Sequence, residues 1–127
     1  MLISHFAAVM VLSTVYASYP LYIDELEPLV NLSDRRQLDI LDDDDYTPRS
    51  QLQSKFQTIL KRQNATVQSQ YHAIVQLKEQ QRNRMNSMRI QDETQNGDLN
   101  VINQIKAVMA DLSLSEREAE EKVRTLN

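Results

Sequence analysis

The residues able to do chemistry in this 127-residue chain are few, and they are not grouped as catalysis or metal binding requires. The chain has no cysteine, which excludes disulfides, thiolate zinc sites and thiol nucleophiles. A single glycine excludes the glycine-rich phosphate loops and the dinucleotide fingerprint. His72 is the only histidine after residue 17, and no carboxylate lies one helical turn away to orient it as a base. We therefore predict that the protein is not an enzyme and holds no cofactor and no metal.

The most distinctive segment is an acidic run followed by Tyr46-Thr47-Pro48-Arg49-Ser50. The run consists of Asp42, Asp43, Asp44 and Asp45. It lacks the alternating ligands and the turn glycine of a calcium loop. It suits docking on a basic exosite, and Tyr46 beside it is a candidate for sulfation in the secretory route. Pro48-Arg49-Ser50 resembles a cleavage site for a trypsin-like, thrombin-like protease, whose S1 pocket takes arginine. The alternative, which we favour, is a solvated linker followed by the N-terminus of a helix.

Charge is distributed in three blocks, although the net charge is only −4. Residues 24–45 carry nine acids and two bases, residues 46–90 eight bases and one acid, and residues 91–127 four bases and eight acids. The basic block includes a close cluster of Arg82, Arg84 and Arg89. This cluster and the acidic run are our candidate partner-binding residues, although a solvated face neutralised by the acidic blocks explains the basic cluster equally well. The acidic balance and the lack of interleaved aromatic residues argue against nucleic acid as a partner.

Residues 1–17 have the pattern of a signal peptide: an apolar run with Val15 and Ala17 before Ser18, the expected new N-terminus. The run is too short to span a bilayer comfortably, and no later segment is apolar enough to span one. We therefore expect a secreted, extracellular protein with no membrane span. Two sequons fit that compartment and make Asn31 and Asn64 candidate glycosylation sites.

The mature chain divides into an acidic N-terminal segment, 18–46, and a helical region, 47–127. In the first segment, Ser33 is predicted to cap a short helix over 34–41, which the acidic run then ends. In the second, Thr47 as N-cap and Pro48 at the first helical position predict a helix start. Apolar residues then recur, mostly at steps of three and four, as far as residue 88. A helix over 48–95 is expected, whole or broken near Asn64 or around 83–87.

Beyond this helix, Gln95-Asn96-Gly97-Asp98 is the clearest turn signal, with Asp98 able to cap the next helix. A second apolar stripe runs from Leu99 to Leu112, and Ser115 with Glu118 forms a capping-box pattern for a final short helix. The predicted fold is all-α: a small helical bundle built on a long helical hairpin with short flanking helices.

A cleavable leader, a cysteine-free mature chain, an acidic N-terminal segment and a Gln-rich helical body are features of one family. From about Tyr22 to Asn127 the chain resembles the anophensin/albicin family of anopheline mosquito salivary proteins. The resemblance implies a small helical secreted protein that acts on blood-borne host defence by binding a host plasma protein complex. Albicin-like members block the alternative complement pathway by stabilising its convertase in an inactive assembly. Anophensin-like members bind contact-pathway components and suppress bradykinin release.

Three classes of function follow, and the first of them has two alternative targets. The leading one is a secreted salivary protein that inhibits host defence by protein binding, with the alternative-pathway convertase as its first expected target. Inhibition of contact activation in the kallikrein–kinin system is its closest alternative. A thrombin-directed anticoagulant would use the acidic run and Pro48-Arg49-Ser50. A lipid-binding or structural secreted helical protein would use the wide apolar stripes of the helices.

Overall fold

The computed structural model describes residues 19–96 and 99–126, without the side chains of residues 89–96. The described ranges form helices and turns and no β-strand, so the predicted all-α class is confirmed. A 3₁₀ turn at Glu27–Leu29 follows the first helix. The helices are α1 (Ile23–Leu26), α2 (Leu32–Asp42), α3 (Arg49–Lys61), α4 (Ala65–Asn96), α5 (Leu99–Ala110) and α6 (Glu116–Thr125). The predicted signal peptide and the predicted turn residues Gly97 and Asp98 lie outside the described residues.

Helix α2 begins two residues earlier than predicted, and its cap is Asn31 rather than Ser33. The Asn31 backbone is extended, with φ −71° and ψ 170°, and its side-chain oxygen accepts a 2.8 Å hydrogen bond from the Asp34 backbone N–H. Asparagine and serine are both good caps, so residue type alone did not distinguish the two positions. The helix ends at Asp42, inside the acidic run, as like charges at the negative end of the helix dipole require.

The predicted N-cap of α3, Thr47, is off by one residue. Pro48 occupies the capping position with φ −52° and ψ 135°, and its carbonyl accepts hydrogen bonds from the backbone N–H groups of Gln51 and Leu52. The Thr47 side chain is directed towards the preceding loop, where its hydroxyl donates to Asp44 Oδ2 at 2.5 Å. Thr47 therefore belongs to the loop before the helix, and Pro48 is the N-cap residue of α3.

The long helical region is broken at Asn64, one of the two positions predicted, and α4 continues without a break through residues 83–87. Asn64 Oδ1 accepts a 2.9 Å hydrogen bond from the Val67 backbone N–H and so caps α4. Phe56 and Tyr71 lie on either side of this break, and their ring centroids are 5.6 Å apart. This ring contact joins α3 to α4 across the Asn64 turn.

The hydrophobic core lies where α1, α2 and α3 meet the first half of α4. Its most completely buried apolar side chains are Leu26, Leu38, Phe56 and Leu60. The hydroxyl of Tyr71 donates a 2.6 Å hydrogen bond to the Leu21 carbonyl, which fastens the N-terminal segment to α4. At 1.5 Å per residue α4 is about 48 Å long, so its second half extends beyond this core.

The last two helices are attached to the start of α3. The backbone N–H groups of Arg49 and Ser50 donate to the carbonyls of Leu114 and Leu112, at 3.1 and 2.7 Å. The predicted capping box is confirmed: the Ser115 side chain accepts from the Glu118 N–H, and the Glu118 carboxylate accepts from the Ser115 N–H. None of the helices within the described ranges is both long and apolar enough to cross a membrane.

Candidate functional site

An acidic surface is the strongest candidate site. It is formed where α1, the 3₁₀ turn and the end of α2 come together with the loop that follows. We use the name for six carboxylates: Asp24, Glu27, Asp39, Asp42, Asp43 and Asp45. Helix geometry explains part of the cluster, because Asp42 and the C-cap residue Asp43 lie three and four positions after Asp39 and so flank the same side of α2. None of the six forms an ion pair with any residue that the structure describes.

Two carboxyl groups of the acidic surface have raised pKa values, to which the charges of neighbouring carboxylates contribute. A hydrogen bond with the Asp39 carboxyl, followed by partial burial and by the nearby charge of Asp39, raises the pKa of Glu27 to about 7. Burial, followed by the charges of Asp24 and Asp43, raises the pKa of Asp42 above its ordinary value. A cationic group placed on this surface would relieve the repulsion.

Asp44 differs from its three neighbours in the acidic run. Its Oδ1 accepts hydrogen bonds from the backbone N–H groups of Tyr46 and Thr47, at 3.0 and 2.9 Å. The pKa of Asp44 is held below its ordinary value, first by the hydrogen bond from the Thr47 hydroxyl and then by these two backbone hydrogen bonds. Of the four predicted aspartates, Asp42, Asp43 and Asp45 therefore belong to the acidic surface, whereas Asp44 shapes the loop that presents it.

A cleft of about 410 Å³ adjoins the acidic surface. Tyr19 and Asp42 line it together with Glu116 and Glu120 of α6, and Lys78 is the one basic residue in its lining. The Tyr19 hydroxyl donates to the Glu116 carboxylate. Burial first, and then the Glu116 contact, raises the pKa of Tyr19 above its ordinary value. The negative potential of the acidic surface thus continues into this cleft.

The predicted basic cluster does not form one surface in the described part of the chain. Arg82 is 3.6 Å from Glu79 and lines a second cleft with Tyr19 and Arg49. Arg84 is exposed and lies two positions further along α4, so its side chain leaves the helix in a different direction. The side chain of Arg89 lies outside the described residues.

Arg49, at the centre of the predicted protease segment, is buried with 1% exposure. Its guanidinium donates to four backbone carbonyls at 2.8–3.2 Å, those of Val108, Met109, Asp111 and Leu114. Its Cζ atom also lies 5.6 Å from the centre of the Tyr19 ring. In the folded chain this side chain is therefore held inside the protein and is not offered to an S1 pocket.

Both sequon asparagines are exposed residues that cap helices through Oδ1. A glycan is attached through the side-chain nitrogen, which neither cap uses, so glycosylation at Asn31 or Asn64 is compatible with the fold.

The His72 side chain has one hydrogen-bonding contact with the residues that the structure describes, Gln76 Nε2 at 3.2 Å from its own Nε2. Among the side chains of residues 19–88 and 99–126, no group of three or more His, Asp or Glu is placed to hold a metal ion.

Sequence reasoning found the acidic run and missed three members of the acidic surface. Asp24 and Glu27 precede the run by more than a dozen residues, and only the packing of α1 and the 3₁₀ turn against α2 brings them to it. Asp39 was overlooked although its spacing from Asp42 and Asp43 on a predicted helix would have placed it beside them. No protein-family model, curated protein or solved structure significantly matches the chain.

Proposed function

We propose that this protein is a secreted, non-catalytic ligand that inhibits host defence by binding a basic surface on a host plasma protein complex. The alternative complement pathway convertase is the leading target, on the strength of the resemblance described above. The observation that carries the proposal is the acidic surface, whose six carboxylates have no cationic partner among the described residues.

The electrostatic argument has two parts. A dense, unneutralised patch of one sign attracts a surface of the opposite sign, so it accelerates encounter and rejects like-charged partners. Here four of the carboxylates, those of Asp24, Glu27, Asp39 and Asp42, are carried by helical segments. The patch therefore loses little conformational freedom on binding.

The two alternative targets, a contact-pathway protein and thrombin, would also be bound through the acidic surface. A contact-pathway protein or thrombin would also present a basic region to the acidic surface, but the burial of Arg49 removes the side chain that a thrombin-directed substrate mimic would need. The complement target is therefore tested first, and plasma kallikrein and thrombin assays follow if it fails.

The test is alternative-pathway lysis of rabbit erythrocytes in human serum, with and without recombinant residues 18–127. We expect inhibition of lysis with the classical pathway unaffected. The variant Asp39→Asn/Asp43→Asn should raise the concentration needed for half-inhibition by about tenfold, which corresponds to roughly 1.4 kcal/mol.

The matched control is Asp111→Asn/Glu121→Gln, which changes the net charge equally at exposed positions outside the acidic surface and the lining of its cleft. It should stay within about twofold of the wild type, since removing distant surface charges has small effects. Lack of inhibition at micromolar protein would reject the convertase, and equal losses in the two variants would reject the acidic surface as the contact.

A further inference from the structure

Among the tyrosines that the structure describes, Tyr46 is the most exposed to solvent. It lies in the irregular connection between α2 and α3, directly after the acidic run, and is 71% exposed. Its backbone N–H is bonded to Asp44 Oδ1, so the loop holds a defined shape while the ring points outward. Its hydroxyl accepts a hydrogen bond from Arg117 and donates to no described residue.

The other tyrosines in the described ranges are unsuited to modification. The Tyr71 ring is 4% exposed and its hydroxyl donates to the Leu21 carbonyl. The Tyr19 hydroxyl donates to Glu116. The Tyr22 hydroxyl oxygen is buried, and burial followed by the nearby Glu79 raises its pKa. Esterification of any of these three would break a hydrogen bond or place a charge in the interior, whereas at Tyr46 it would do neither.

We propose that Tyr46 is O-sulfated in the secretory pathway and that Arg117 holds the resulting sulfate ester. The proposal rests on the secretion assumed in the proposed function. The phenol oxygen attacks the sulfur of a phosphosulfate-anhydride donor; the new O–S bond forms as the S–O bond to the donor's phosphate breaks. The phenol proton passes to a base of the transferase. The acidic run supplies the negative charge that a transferase with a basic substrate groove recognises.

Arg117 is already placed to receive the ester. Its Nη1 donates to the Tyr46 hydroxyl oxygen at 3.4 Å, and its Cζ lies 5.5 Å from the centre of the ring. Its backbone N–H donates to the Asp45 carbonyl at 2.9 Å, which fixes the start of α6 against the loop. The ester oxygen can still accept the Arg117 hydrogen bond, and the added sulfate oxygens accept further bonds from the planar guanidinium.

Sulfation would extend the acidic surface by one permanent negative charge. At present Arg117 also pairs with Glu121 of its own helix, at 3.4 Å, and both side chains are more than half exposed. A sulfate on Tyr46 would compete for this guanidinium and draw α6 towards the loop, as an added phosphate does opposite an arginine.

The test uses the full-length chain, leader included, secreted from insect or mammalian cells that sulfate a known control protein. Intact-mass measurement of the secreted wild type should show a species heavier by one sulfuryl group, at a mass resolution that separates sulfate from phosphate. Tyr46→Phe should lack this species and Tyr22→Phe should keep it. Asp43→Asn/Asp45→Asn should reduce its fraction by more than half.

The role of Arg117 has its own readout. Sulfated wild type should melt about 2 °C or more above the enzymatically desulfated protein, as expected of one exposed charge-assisted contact in a domain of this size. This difference should vanish in Arg117→Gln and persist in Arg124→Gln, the matched change on α6. An undiminished difference in Arg117→Gln would overturn the assignment of Arg117.

Secreted protein that carries no added mass, carries phosphate, or is still sulfated in Tyr46→Phe would overturn the proposal for Tyr46. Protein retained in the cells would overturn it together with the assumed secretion. A sulfated chain without effect on erythrocyte lysis would contradict the proposed function alone, so the two failures are distinguishable.

Discussion

At the scale of single residues, Arg49 joins the start of α3 to the α5–α6 connection. Its backbone N–H and its guanidinium both bond carbonyls of residues 108–114, and the side chain is buried. Arg49→Lys keeps the charge but cannot span four carbonyls with one nitrogen, so buried acceptors are left unpaired. We expect it to lower the free energy of unfolding by about 2–3 kcal/mol in urea titrations.

Arg84→Lys is the control for this substitution, because Arg84 is exposed on α4 and forms none of the described ion pairs. Its free energy of unfolding should stay within about 0.5 kcal/mol of the wild type. A similarly small change for Arg49→Lys would show that the guanidinium–carbonyl bonds do not form in solution.

A second prediction at this scale concerns Glu27 and the dependence of the free energy of unfolding on pH. The hydrogen bond with Asp39 raises its pKa in the folded chain from 4.5 to about 7, so the folded state binds this proton more tightly than the unfolded state. The stabilisation that results is complete below pH 4.5 and is lost as the pH rises through 7. Because Glu27 is only partly buried and solvent screens its interactions, the loss should be less than about 1 kcal/mol.

Urea titrations between pH 4.5 and 8 measure this loss. Glu27→Gln cannot lose a proton, so its stability should decline less than that of the wild type over the same range. Asp39→Asn should have a similar effect, and combining the two should add little, since they remove one shared interaction. A wild-type stability that rises steadily across this range would contradict the assignment.

At the scale of elements, the sequence predicted those helix boundaries that depend only on side chains next to the boundary. The capping box of α6 needs only Ser115, Glu118 and the backbone between them, and it formed as predicted. The Asn64 break also has a local cause, a side-chain cap on the following helix. The predicted caps Ser33 and Thr47 are wrong: Asn31 caps α2 instead, and Thr47 lies in the preceding loop with its hydroxyl bonded to Asp44.

Contacts between elements that are distant in the chain could not be predicted from sequence patterns. Nothing local marks Arg49 as a buried residue, because its partners are carbonyls some sixty positions away that carry no side-chain signature. The acidic surface likewise contains some members that local spacing predicts and others that only tertiary packing brings together. Its members on α2 follow from helical spacing, whereas Asp24 and Glu27 join them only through tertiary packing.

At the scale of the whole molecule, apolar burial is concentrated at one end. The core involves α1, α2, α3 and the first half of α4. Further along α4, Leu77, Met85 and Met88 are mainly exposed, as are Leu99 and Met109 of α5. Since burial of apolar surface supplies most of the stability of a helix in a protein, the two ends should differ in their resistance to local opening.

Amide hydrogen exchange of residues 18–127 measures this difference. We expect exchange only through global unfolding for the amides of α3 from Leu52 to Leu60 and for those around Tyr71. The reason is that Phe56 and Tyr71 are buried in the core, where their rings are in contact. Amides of α4 beyond Glu79 should exchange at least tenfold faster, through local openings that leave the core intact.

Two substitutions test this difference. Phe56→Leu should speed exchange in the core, whereas Leu77→Ala, at a 62% exposed position, should leave the core amides unchanged. Equal protection along all of α4 would mean that its outer half is packed in solution, and that the exposed leucine and methionines are covered there by another surface.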